Sequence, residues 1–304
     1  MKISILICSM KEEKTIGKCL ETFLNEYSGD FEVLASIPDE PTYEGLMSKA
    51  VELGIEKKIF RSEISKSGKA LGKPFELNEL MNMATGDIWF FGDGDTYFGK
   101  NTINLLLEKF QENPELEAIT GRPISMDKID NFFGYIGHLL ADGAHFKRDQ
   151  ELTQRRGFFP LSGYLFAMKK TDIRLPADCL SDDAFISYKL LKAGKQLGYQ
   201  PEARVYIKYA TNFADFFKQK KRSAGGFVQL KKYGVMDNQP QTRSFIKELE
   251  MVLFPLKYAK NLQQLLWSLE LFPVRIWLWM LIFWEQKVVK KSFDEVWKRV
   301  ESTK

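Results

Sequence analysis

The chain has 304 residues, 44% of them hydrophobic and 28% charged, a composition that builds a folded core and excludes a disordered polymer. Its three cysteines, Cys8, Cys19 and Cys179, follow no motif spacing. That excludes a disulfide framework and a four-ligand zinc site, and fits a reducing compartment. The net charge of +4 is modest, and no nucleic-acid partner is expected.

In chain order, Ile3 to Cys8 reads as a buried strand, entered with no basic, apolar leader, so no signal peptide is expected. Glu13 to Leu24 reads as a helix with Ile16, Cys19, Leu20 and Phe23 on one face. A strand over Phe31 to Ile37, a helix over Tyr43 to Leu53 closed by Gly54, and a short strand at Lys58-Ile59-Phe60 follow. Glu76 to Ala84 is helical, and Asp87 to Phe91 is a fourth strand. This rhythm predicts βαβ units, a largely parallel sheet, and ligands at the carboxyl ends of the strands. Further strands and a helix over Asp183 to Ala193 occupy residues 117–205. From Phe213 the chain is helical and basic, with a glycine-rich loop expected at Arg222 to Gly226; beyond Phe245 it is aromatic and apolar. The composition shift at Gln239-Pro240-Gln241 predicts two domains, residues 1–240 and 241–304.

Asp93-Gly94-Asp95 ends the fourth strand. Two carboxylates flanking a glycine suit a hard divalent cation that shares its oxygen ligands with substrate phosphates, or form a solvated acidic turn. Asp182-Asp183 opens a helix, where Asp182 can cap and both suit the helix dipole. Gly68 to Lys73 mimics a phosphate-binding P-loop, but the spacing is one residue short and Pro74 replaces the hydroxyl residue, which excludes it.

Taken in order, these segments resemble family 2 glycosyltransferases of the GT-A fold. Glu12-Glu13 with Cys19-Leu20, Gly72-Lys73 with Leu77-Asn78, Ala84-Thr85-Gly86-Asp87, and Asp93-Gly94-Asp95-Thr96 match the amino-terminal half of the family pattern. Ser162-Gly163, Asp182-Asp183, Ala193-Gly194 and Pro201-Glu202-Ala203-Arg204-Val205-Tyr206 match the rest, over roughly residues 1–230. The resemblance implies a mostly parallel central sheet flanked by helices, with a C-terminal amphipathic helical extension. It implies an inverting transfer from a nucleotide diphosphate sugar, UDP- or GDP-linked, to a lipid-linked or saccharide acceptor. Asp93 and Asp95 would hold Mg²⁺ or Mn²⁺, and Asp183, beside Asp182, would be the general base. Ser9, Glu12, Asp39, Lys73, Asp93, Gln219 and Arg222 fall at donor-binding positions. Asp39-Glu40-Pro41 also reads as a plain turn, Lys73 as a surface lysine, and Lys218 to Arg222 as a solvated basic face.

The sequence departs from the pattern in several places. Cys8, Met10 and Lys11 replace a proline, an aromatic and an asparagine, Asp182 replaces a glutamate, Ser223 replaces the tryptophan of Q-x-x-R-W, and Ile207 and Lys208 replace a histidine. His138 and His145 read as structural residues. A nucleotidyltransferase of related fold and an inactive membrane-bound module are the alternatives. The first lacks its glycine-rich loop here, and the second is disfavoured by the intact aspartates.

Four of the six tryptophans lie between Trp267 and Trp284, and the apolar run Ile276 to Trp284 has nine residues. Crossing a bilayer takes roughly 20. With Lys287, Lys290, Lys291, Lys298 and Arg299 following, amphipathic helices lying in the interface are expected. The expected location is cytoplasmic, peripheral at the inner face of the membrane, the alternative being a helical hairpin packed on the protein or across a dimer.

Overall fold

A computed structural model describes residues 1–154, 157–242, 251–289 and 302–303. The chain divides into two compact units, neither continuous in sequence. The first comprises residues 1–123 and 161–207; the second comprises residues 124–160 and 208–303. The composition shift near Gln239 therefore falls inside the second unit.

The elements in order are β1 (Ile3–Cys8), α1 (Ile16–Phe23), β2 (Phe31–Ser36), α2 (Glu40–Glu52), β3 (Ile59–Arg61), α3 (Glu63–Lys66), α4 (Lys73–Met83), β4 (Ile88–Asp93) and β5 (Tyr97–Phe98). Then come α5 (Thr102–Glu112), β6 (Leu116–Ser125), α6 (Phe132–Arg148), β7 (Phe166–Lys169), α7 (Asp182–Lys192), β8 (Gln196–Ile207), α8 (Phe213–Lys232), α9 (Phe254–Tyr258) and α10 (Leu262–Phe283). Eight strands form one sheet in the order β3-β2-β1-β4-β7-β6-β8-β5. β3, β2, β1 and β4 run parallel, whereas β7 is antiparallel to both β4 and β6.

β1 is buried throughout its length, as a central strand covered on both faces must be. Its register sets Cys8 beside Ser36 on one side and Asp93 on the other, at the carboxyl edge where ligands of such sheets bind. The opposite edge is tied by Glu32, 5% exposed, which accepts hydrogen bonds from Lys2, Ser4 and Thr85 at 2.6–3.0 Å. Burial alone would raise its pKa, but these donors drive it down to about 2. A methyl on Gly86 would stand 2.6 Å from the Ser4 nitrogen. The Ala84-Thr85-Gly86-Asp87 motif is thus a structural clasp, remote from the carboxyl edge.

In the second unit, α6, α8, α9 and α10 share cores. Tyr135, Leu139, Phe216 and Leu271 form one, and Ala224, Leu278 and Ile282 another. The Tyr135 and Ser268 hydroxyls lie 2.7 Å apart, and Lys221 pairs with Glu285 at 3.0 Å. The loop expected at Arg222 to Gly226 is instead the middle of α8. Ala224, Gly225 and Gly226 are buried there, and Ala224 packs against Leu278 and Ile282. Packing of these small residues offsets the poor helix propensity of glycine. The tail likewise differs from its apolar run. α10 continues through Pro273 and Arg275 for 22 residues, long and apolar enough by length and composition to cross a membrane. Lys290, Lys291, Lys298 and Arg299 lie outside the described residues.

Candidate active site

The carboxyl edge of the parallel strands gathers the polar residues of the first unit. Asp93 closes β4, and its carbonyl accepts the Thr96 hydroxyl at 2.8 Å and the Cys19 thiol at 3.3 Å. This turn aims Asp93 and the half-buried Asp95 out of the sheet. All three cysteines are buried, which disfavours the thiolate. Burial, with Asp95 next, raises Cys19, and burial pushes Cys179 up to about 12.

Gly94 explains the spacing of the two aspartates. A methyl there would lie 2.2 Å from Ser9 Oγ and 2.6 Å from Glu12 Oε2. Ser9 donates to Glu12 at 2.9 Å, and both are over nine-tenths buried. Ser9 and Glu12 therefore pack directly on the Asp93–Asp95 turn. Asp39 is the N-cap of α2, accepting from Thr42 N at 3.2 Å and Thr42 Oγ1 at 2.6 Å. It also receives Lys11 N at 2.9 Å, while Thr42 Oγ1 receives Glu12 N at 2.8 Å. Lys11 has a left-handed φ of 55°, and the Asp39–Thr42 pair fixes that turn. Asp39 thus positions Glu12 through the backbone.

Lys73 lies in the first turn of α4, because Gly72, at φ 98°, is the N-cap and Pro74 follows. Its ammonium donates to Asp93 Oδ1 at 2.8 Å and stands 3.3 Å from Asp182 Oδ2. Burial alone would lower its pKa, but Asp182 and Asp93 hold it well above the ordinary lysine value. The cation therefore joins β4 to α7. Sequence reasoning missed Glu76, a buried carboxylate on the same helix whose pKa burial raises against the N–H groups of Leu71 and Gly72. Its charge, with those of Lys73, Asp93 and Asp182, acts on the Cys8 thiol, which burial chiefly raises. The only signal in the sequence was an acid in a first helical turn, which ordinarily reads as dipole complementation.

α7 starts at Asp182 after Ser181, so Asp182 is not the cap but a first-turn residue free to meet Lys73. Asp183 is half-buried. Its Oδ1 accepts Ser181 Oγ at 2.9 Å and Ala184 N at 2.8 Å, and its Oδ2 accepts Gly163 N at 2.9 Å. Burial first, and Asp182 second, raise its pKa against these donors. A carboxylate so oriented and so poised can take a proton from a hydroxyl. Ser162-Gly163 thereby gains a role: a methyl on Gly163 would press on Asp183 Oδ2 at 3.2 Å.

Among the described residues no group of three or more His, Cys, Asp or Glu side chains is placed to hold a metal. Asp93 and the half-buried Asp95 flank Gly94 on one turn, with Asp93 Oδ1 engaged by Lys73. Gln219 and Arg222 lie three apart on α8, in the second unit. His138 bonds the Asp127 carbonyl at 2.7 Å, a structural contact.

Comparison with known proteins places this geometry. Residues 2–226 match the model of "Glycosyltransferase like family 2". The poly-beta-1,6-N-acetyl-D-glucosamine synthase of Staphylococcus aureus is 24% identical over 216 residues, 68% of this chain and 48% of that one. The chain therefore spans about half the length of the curated relatives it matches. A mannosyltransferase from Pyrobaculum calidifontis, solved with GDP-Man and Mn²⁺, superposes with a TM-score of 0.64 at 15% identity, covering 95% of this chain and 88% of that one. Glucosyl-3-phosphoglycerate synthase from Mycobacterium tuberculosis, solved with Mn²⁺, UDP and phosphoglyceric acid, gives 0.50 at 13% identity over 79% and 80%. The fold is that of GT-A glycosyltransferases, and by its family match the chain belongs to the glycosyltransferase-like family 2.

Proposed function

We propose that the chain is an inverting glycosyltransferase. It moves a sugar from a UDP- or GDP-sugar to an acceptor hydroxyl or lipid phosphate, in glycolipid or cell-surface polysaccharide synthesis at the cytoplasmic face of a membrane. The observation that carries this reading is the Lys73 bridge, which sets the Asp93 carboxylate and the α7 start bearing Asp183 about one ammonium apart, at 2.8 and 3.3 Å. Mg²⁺ or Mn²⁺ on Asp93 and Asp95 would offset the charge of the departing diphosphate. Lys73 supplies a second cation beside it, and Ser9 and Glu12 pack on the Asp93–Asp95 turn. With a hydroxyl acceptor, the acceptor oxygen attacks the anomeric carbon, the bond from that carbon to the leaving diphosphate oxygen breaks, and the hydroxyl proton passes to Asp183 Oδ2; an ionised phosphate acceptor attacks without a proton to transfer. Attack opposite the leaving group inverts the anomeric centre. For Gln219 and Arg222, as diphosphate or acceptor contacts, the support is the family motif on α8. The staphylococcal synthases and the GDP-Man and Mn²⁺ of the mannosyltransferase support the donor and metal class.

The membrane reading rests on α10. One side packs at Ser268, Leu271, Leu278 and Ile282, while Leu266, Leu269, Ile276, Trp277, Met280 and Phe283 form an exposed apolar stripe on the other. A helix of about 33 Å held to the protein along one side is suited to lie in the interface. A thermal-shift screen of UDP-glucose, UDP-N-acetylglucosamine and GDP-mannose, each with and without Mn²⁺, tests the donor class. A Mn²⁺-dependent rise with one of them is expected. A chain indifferent to all three with Mn²⁺ present overturns the reading.

A further inference from the structure

Asn78, the last residue of the G-K-x-x-x-L-N stretch, is committed to a backbone contact. Its side-chain amide pairs with both backbone groups of Leu175: Nδ2 donates to the Leu175 carbonyl at 2.8 Å, and Oδ1 accepts the Leu175 N–H at 2.9 Å. This two-point pairing fixes both position and rotation of a peptide 97 residues away in sequence, which one hydrogen bond cannot do. One turn further along α4, Asn82 Oδ1 accepts Arg174 Nη2 at 2.6 Å, but this contact is exposed and holds a side chain, not the backbone of the β7–α7 connection.

That connection has little slack between the grip and the base. Leu175 is 4% exposed and Cys179 6% exposed, and Cys179 N donates to the Pro176 carbonyl at 3.0 Å. The turn delivers Ser181, whose hydroxyl holds Asp183 Oδ1, and then Asp182, which meets Lys73 from the first turn of α4. One rigid helix therefore touches the metal-side carboxylate at Asp93, the start of α7 at Asp182, and the chain leading into α7 at Leu175.

We propose that Asn78 is a positioning residue for the transfer step: through its pairing with Leu175 it registers the Asp183 carboxylate against the Asp93–Asp95 edge. The inference rests on Asp183 acting as the general base. A base displaced by an ångström still permits donor binding but loses roughly ten- to a hundredfold in rate. The signature is therefore a fall in turnover with unchanged donor affinity.

The test uses the full chain with Mn²⁺. It measures release of nucleotide from UDP-N-acetylglucosamine and GDP-mannose, calorimetric binding of UDP and GDP, and hydrogen exchange over residues 161–185. Asn78→Ala removes both bonds. Asn78→Asp keeps the shape and the acceptor for Leu175 N–H but sets a carboxylate against the Leu175 carbonyl, and so guards against a folding defect in the first variant. Asn82→Ala removes only the exposed Arg174 contact and serves as the control. Both Asn78 variants are expected to exchange faster at Leu175 and Gly163, to bind nucleotide within about twofold of wild type, and to release it roughly ten- to a hundredfold more slowly. Asn82→Ala should match wild type. Release by either Asn78 variant at the wild-type rate, with Leu175 freed, overturns the proposal. So does a parallel loss of nucleotide affinity. A wild-type chain that binds neither nucleotide overturns the glycosyltransferase reading itself, and with it the assignment of Asn78.

Discussion

Gly94→Ala is the smallest change that probes the packing of the site. The added methyl would sit 2.2 Å from Ser9 Oγ, 2.8 Å from Ser9 Cβ and 2.6 Å from Glu12 Oε2. Gly94 has no left-handed φ, so the backbone itself tolerates alanine and the cost is steric. Relief requires Ser9 to turn away, which breaks its 2.9 Å bond to Glu12 and leaves that carboxylate buried at 8% exposure. Losing a partner of a buried polar group costs about 1–3 kcal/mol, and overpacking a filled site costs a further 1–3 or so kcal/mol. The sum, about 2–6 kcal/mol, lowers the thermal midpoint by roughly 4–12 °C in a protein of this size. Differential scanning fluorimetry on Gly94→Ala, Ser9→Gly and the double variant forms a cycle. Ser9→Gly removes both Ser9 atoms from the clash, so the double variant should melt above Gly94→Ala alone. A Gly94→Ala midpoint within about 1 °C of wild type, far below the usual cost of overpacking, would refute the close approach, as would a double variant with no recovery.

Three further outcomes follow from the same geometry. Glu32→Gln should cost about 1.5–3 kcal/mol at pH 7 in urea unfolding, the range for hydrogen bonds to a charged group. Because Glu32 is depressed to about 2, its contribution is complete above the unfolded carboxylate pKa and fades as pH falls toward 2. Wild type should therefore lose stability across that window more steeply than the variant, and equal slopes would argue against the Lys2–Ser4–Thr85 clasp. Asp183 has the opposite sign. A raised folded-state pKa means that ionised Asp183 opposes folding above it, so wild type should lose stability relative to Asp183→Asn as pH rises from the unfolded carboxylate value; parallel pH profiles for the two would argue against the raised pKa. Replacing Ile276 and Met280 together by glutamate should leave the fold intact and abolish co-sedimentation with anionic vesicles. Vesicle binding unchanged by these charges would remove α10 from the membrane.

Much of this was legible in the sequence, for identifiable reasons. β1, β2 and β4 are buried and mostly apolar because central parallel strands are covered on both faces, and Asp93 ends one of them. The family motifs located the acidic clusters and, with them, the fold. Their roles were less legible. Ala84-Thr85-Gly86-Asp87 clasps Glu32 at the far edge, and Asn78 holds Leu175, because motif identity does not reveal which residues meet across 50 or more positions. Lys73 read as a donor-binding or a surface lysine, and its contact with Asp93 and Asp182 came only with Gly72 as the N-cap that draws it into α4. Glycines 225 and 226 suggested a loop from propensity alone, where packing of α8 decided for helix. The two units could not be read from composition, since residues 124–160 join the C-terminal helices through contacts of long sequence separation, such as Tyr135 with Ser268.

The central claim is that Asp183 takes the acceptor proton in a metal-dependent transfer from a nucleotide sugar. The direct measurement is nucleotide release from UDP-N-acetylglucosamine and GDP-mannose with Mn²⁺ by wild type and Asp183→Asn, with UDP and GDP affinity measured in parallel. Unchanged affinity and a rate lower by about 10²–10⁴-fold, the usual worth of a general base, is the predicted result. Release by Asp183→Asn at the wild-type rate would contradict it.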